Sequence, residues 1–125
     1  MNAYFLIAIG GALGAVCRVM MQNLAHQFLP ITFPHGTLYV NVIGCLLIGI
    51  FIGAAEHGQL TDAWKLFLTT GFCGGFTTFS AFSLETFALV KQGEVSAAGI
   101  YVAASVVLGL AAVWLGLFIV KVFAR

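Results

Sequence analysis

Charge is what this sequence has least of. Five lysines and arginines and four aspartates and glutamates are spread over 125 residues, 7% in all, where a soluble domain carries about a quarter. With 62% hydrophobic residues and a mean hydropathy of +1.09, the chain reads as an integral membrane protein. The net charge is only +1 and the basic residues are scattered. That excludes nucleic acid as a partner, because a polyanion needs a concentrated basic patch. Proline is scarce too: Pro30 and Pro34 punctuate a single loop and leave the apolar stretches whole. The three cysteines, Cys17, Cys45 and Cys73, lie in apolar segments without metal-ligand spacing and read as small buried hydrophobes. No linker, repeat or low-complexity segment interrupts the chain. A bilayer core takes about 20 apolar residues per helix, so residues 1–125 are read as one four-helix transmembrane domain with no room for a soluble enzyme domain.

An apolar run starts at Ala3. Only Met1 and Asn2 precede it, so the basic n-region of a signal peptide is missing and the run is read as the first span, Ala3 to Met21. Gly10, Gly11 and Gly14 give this span a small-residue face for close helix approach. Arg18, placed near its far end, either snorkels to the interface or lines an aqueous vestibule. The loop from Gln22 to His35 holds His26 and His35, which read as solvated. A second span covers about Gly36 to Ala55. Its Asn41 must find hydrogen-bond partners in hydrocarbon, either as glue between helices or as a donor to a passing anion, while Gly49 and Gly53 are packing positions.

Trp64 and Lys65 suit the headgroup region at the start of a third span that continues to about Val90, longer than a straight crossing needs. The short turn Lys91 to Glu94 predicts that spans three and four are antiparallel neighbours. Span four, Val95 to Val120, is smoothly apolar except for Tyr101 and Ser105, which share one face with Gly109. Four spans put Lys65, Lys121 and Arg125 on one side and Arg18 and Lys91 on the other. That bias is too small for the positive-inside rule to fix one orientation, so insertion both ways and antiparallel pairing are expected.

The richest stretch is GFCGGFTTFSAFSLE, residues 71–85. Its glycine pair, Gly74 and Gly75, predicts a helix end in left-handed conformation, and the threonines that follow predict the cap of a new helix. The third helix is therefore expected to be broken in mid-membrane, where irregular backbone survives only when buried in protein or facing a cavity. Phe76, Phe79 and Phe82 form one stripe if the helix is intact, beside a stripe of hydroxyls at Ser80 and Ser83. Ring edges and hydroxyl and amide donors favour an anion, with no cation to hold it permanently, whereas carbonyls freed around Gly74 to Thr77 suit a small cation. Glu85 reads as a snorkelling or paired carboxylate, or as a proton carrier.

These residues resemble the small bacterial fluoride channel family, also called the camphor-resistance family. The residues 71–85 carry the specific match, with GGALGAVCR at 10–18 and GTLYVNVIG at 36–44 in support. The resemblance implies an all-α, dual-topology homodimer with two antiparallel pores, in the inner membrane of a bacterium and surrounded by lipid. It implies passive fluoride export from the cytoplasm and no enzymatic activity. Phe79 and Phe82 would present ring edges to fluoride, with Asn41 donating nearby. Ser80, Thr37, Tyr101 and Ser105 would supply hydroxyls along the path, and Arg18 would be the vestibule arginine. Carbonyls of Gly74 and Thr77 from both subunits would enclose a structural sodium ion. Glu85 matches a family acidic position of open role. Ala81 stands where the family commonly has a hydroxyl, and Val19 where it commonly has an aromatic residue.

Two other classes fit four spans. A proton-coupled small multidrug exporter needs a membrane-embedded glutamate early in the chain, and span one has none. A packing subunit would need neither a helix break nor a hydroxyl track.

Overall fold

The computed structural model describes residues 2–124. Met1 and the terminal cation Arg125 lie outside the described residues. Helix α1, Ala3–Phe28, starts at Asn2, whose Oδ1 accepts from Tyr4 N at 2.7 Å. It runs well past Met21, through a stretch without glycine or proline, and stops just short of Pro30. The predicted loop thereby shrinks to residues 29–34. Arg18 consequently lies inside the helix, a correction to its placement near the end.

Helix α2, His35–Glu56, and the last helix, Val95–Phe123, match their predicted spans to within a few residues. Together with α1 they are, among the described residues, the three helices long and apolar enough to cross a membrane, and the chain is a multi-pass membrane protein. Between them lies a segment built of pieces. Helix α3, Asp62–Leu66, is capped by Thr61 Oγ1, which accepts from Trp64 N at 3.2 Å. A π-helical stretch, Phe67–Cys73, follows, then a single turn, α4, Gly74–Phe76. Thr77 and Thr78 are extended, and α5 covers Phe79–Lys91. The last helix is α6.

Glycine governs the packing. A Cβ on Gly14 would run into the Phe72 carbonyl, and one on Gly75 would run into the Gly11 carbonyl. These contacts lock α1 against the π-helical stretch and α4. Gly49 and Gly116 face each other's helix backbones in the same way, and Gly53 meets Val120, so α6 lies along α2 for most of its length. It touches α5 as the short turn predicts, but its main partner is α2, because that is where the small residues allow backbone approach.

Candidate functional site

The centre of the site is the two-residue gap between α4 and α5. The glycine pair does not make it: Gly74 and Gly75 are helical, and among the described residues the positive-φ glycines are Gly58 (φ 72°) and Gly93 (φ 81°), both in turns. This corrects the expected left-handed helix end. Gly75 is needed instead for its close approach to α1, and the threonines make the gap. Thr77 is extended at φ −85°, ψ 157° and Thr78 at φ −148°, ψ 112°, and Thr78 Oγ1 caps α5 by accepting from Ala81 N at 3.2 Å.

Asn41 holds the gap open. Its Oδ1 accepts from Thr78 N at 2.8 Å and its Nδ2 donates to Thr78 O at 3.1 Å, so one side chain completes both backbone groups of an extended residue. The bond from Thr78 N to Asn41 and the cap from Ala81 N to Thr78 Oγ1 each replace a helical one. Thr78 N would otherwise donate to Gly74 O, and Ala81 N to Thr77 O. The carbonyls of Gly74 and Thr77 therefore lose their regular donors. Gly75 O, stranded alongside them, accepts from Arg18 Nε at 3.1 Å. That bond turns the half-buried arginine toward the gap rather than the interface. Gly74, Thr77, Thr78, Asn41 and Phe79 together line an open groove of about 600 Å³.

On the far side of the gap, Phe79 is 78% exposed and its ring centre lies 5.7 Å from that of Phe82. Phe82 in turn lies 5.1 Å from the ring of Tyr101, which is fully buried and meets Phe33 edge-on at 5.5 Å. Phe76 does not continue this row. It is buried before the gap and stacks on Phe72, because the extended threonines break the three-residue period. Tyr101 Oη and Ser105 Oγ are buried without a hydrogen-bond partner. Thr37, also buried, donates to Glu85 Oε1 at 2.6 Å and accepts from Gln22 Nε2 at 3.2 Å. Ser80 is exposed, 3.4 Å from Thr78 Oγ1.

Residues 5–117 match the family model described as CrcB-like protein, Camphor Resistance (CrcB). The chain belongs to that family. Its relatives include the fluoride-specific ion channel FluC of Flavobacterium psychrophilum, 44% identical over 97% of this chain and 98% of that protein. FluC of Rhizobium etli is 48% identical, with 96% and 97% covered. FluC 1 of Nitrobacter hamburgensis is also 48% identical, with 93% of each chain covered.

Within this CrcB-like chain the expected residues fall into three groups. Asn41, Arg18, Gly74 and Thr77 gather at the gap, Phe79, Phe82 and Tyr101 form the aromatic row, and Thr37 and Glu85 form a hydrogen-bonded pair. Ser105 lies on the same helix as Tyr101, likewise unpartnered. Thr78 and Gln22 enter only through the tertiary structure. Gln22 is one turn beyond Arg18, a signal open to the sequence had α1 been continued to the residues before Pro30.

Proposed function

We propose that this protein is a fluoride-selective channel, passively exporting fluoride from the cytoplasm of a bacterium across its inner membrane and so lowering the anion's concentration and toxicity. Near-full-length similarity to proteins named as fluoride-specific ion channels carries the reading. The site's chemistry supports it. Fluoride must exchange its water shell for fixed donors, and Tyr101 and Ser105 offer buried hydroxyls without partners of their own. Asn41 commits one amide hydrogen to Thr78 and keeps the other. Ring edges of Phe79 and Phe82 add weak positive potential, and the hydroxyls of Ser80 and Thr37 extend the donor track. Arg18, tied by Nε to Gly75, keeps further guanidinium hydrogens to draw an anion into a vestibule. Among the described residues no lysine joins this track, which suits passage over retention.

Segment 62–91 acts in this reading as the third of four crossings, broken in mid-membrane at Thr77 and Thr78. Carbonyls without their helical donors at Gly74 and Thr77 are hard oxygen ligands of the kind that fit a sodium ion. Two oxygens are too few to hold a cation alone, so a second, antiparallel copy doubles the set, and each copy's aromatic row serves its own pore. The ion's contribution is charge that holds the facing breaks together. Orientation bias remains weak: with Arg18 turned inward, Lys65 and Lys121 stand against Lys91 among the described cations.

Ion efflux from liposomes carrying the purified protein tests the function. Fluoride should leave far faster than chloride without a pH gradient; equal leakage of both ions, or strict dependence on such a gradient, would overturn the reading. Phe79→Ile and Phe82→Ile should each slow fluoride efflux while the dimer persists.

A further inference from the structure

We propose that Gln22 is a positioning residue of the permeation path, fixing the Thr37 hydroxyl as a hydrogen-bond donor. The inference rests on the fluoride reading above and adds to it a residue outside the motif-bearing stretches. Gln22 Nε2 lies 3.2 Å from Thr37 Oγ1, which in turn lies 2.6 Å from Glu85 Oε1. Three elements, α1, α2 and α5, thus meet in one line of hydrogen bonds.

The direction of that line matters. A hydroxyl has a single proton and can either give it or accept another group's. An amide N–H can only donate, so once Gln22 occupies a lone pair of Thr37, the threonine proton points the other way, toward Glu85 and α5. Thr37 is 3% exposed, so water has little access to compete for either position. An anion arriving on the α5 side meets a hydrogen already aimed at it and competes with the carboxylate to accept it. Without Gln22 only the Glu85 carboxylate holds that proton, and once an anion displaces the carboxylate the hydroxyl is free to turn back toward α1 and present a lone pair instead.

The fold makes room for this contact. A Cβ on Gly36, the residue before Thr37, would come within 3.2 to 3.3 Å of Gln22 Cα, Cβ and Cγ. The bare glycine lets α1 and α2 approach closely enough for the amide to reach.

Three variants at this position separate positioning from packing. Gln22→Met keeps the length and removes the donor; Gln22→Glu keeps the shape and replaces the donor with an oxygen. Gln22→His retains an N–H the same number of bonds from the backbone. In liposomes, the Met and Glu variants should lower fluoride efflux about tenfold, the order expected for losing one interhelical hydrogen bond. The His variant should stay within about twofold of the unsubstituted protein, the scale of a few tenths of a kcal/mol. Elution of the dimer should be unchanged in all three, and the melting temperature should fall by no more than the loss of one interhelical hydrogen bond accounts for. Undiminished efflux with Gln22→Met would overturn the proposal. So would an equal loss with Gln22→His, or a loss that tracks a falling yield of folded protein. Equal chloride and fluoride leakage through the unsubstituted protein would instead sink the fluoride reading, and this assignment with it.

Discussion

Asn41 illustrates how one side chain decides a local structure. An amide offers a donor and an acceptor on separate atoms of one planar group, and Thr78, being extended, presents both an N–H and a carbonyl to it. Asn41→Leu removes both bonds, strands two backbone groups and favours closure of the gap into continuous helix. The expected outcome is loss of about 1–2 kcal/mol of stability, read as a lower melting temperature in detergent, together with a large fall in fluoride efflux. Unchanged values of both would show that the gap holds itself open. Sequence reading recognised Asn41 as a polar residue needing partners and left glue and anion donor as alternatives. It could not find Thr78 as the partner, since the two are 37 positions apart.

At the scale of elements, glycine positions determine which helices meet. Gly116 on α6 sits against the backbone of α2 around Leu46 and Ile50, whereas Gly99 on the same helix has nothing within 4 Å of where a Cβ would stand. Gly116→Ala should therefore destabilise the protein by about 1–3 kcal/mol through overpacking. Gly99→Ala should be neutral or stabilising by up to about 1 kcal/mol, since alanine is the better helix former. Thermal unfolding of both variants in the same detergent checks the contrast, and equal melting temperatures would contradict the packing described. Helix positions were legible in the sequence because hydropathy needs no neighbours to be read. The π-helical stretch was not, because its widened turn arises where Gly10, Gly14 and Gly71 bring two backbones together. Of the interruption at Thr77 and Thr78, the threonine cap was legible, and the helical state of Gly74 and Gly75 was not.

At the scale of the whole molecule, the carbonyls at Gly74 and Thr77, which lose their helical donors, are the ones proposed to hold a cation between two copies. If two copies share a cation there, replacing sodium with potassium or a large organic cation during purification should shift protein from dimer toward monomer. The shift would be measured by sedimentation or by cross-linking in membranes, and a dimer indifferent to the cation would remove the site. What the sequence determined by itself is the class and the ingredients: too little charge for water, apolar runs long enough to cross a bilayer, and one stretch with glycines, hydroxyls and rings set close together. Those properties are local, being fixed by solvation and by near-neighbour spacing along the chain. Tertiary structure alone decided which carbonyls lose their donors, where Arg18 points, and how Gln22, Thr37 and Glu85 line up. Each of these depends on groups brought together from different helices, and the close packing that allows it comes from glycines whose partners lie far away in the chain.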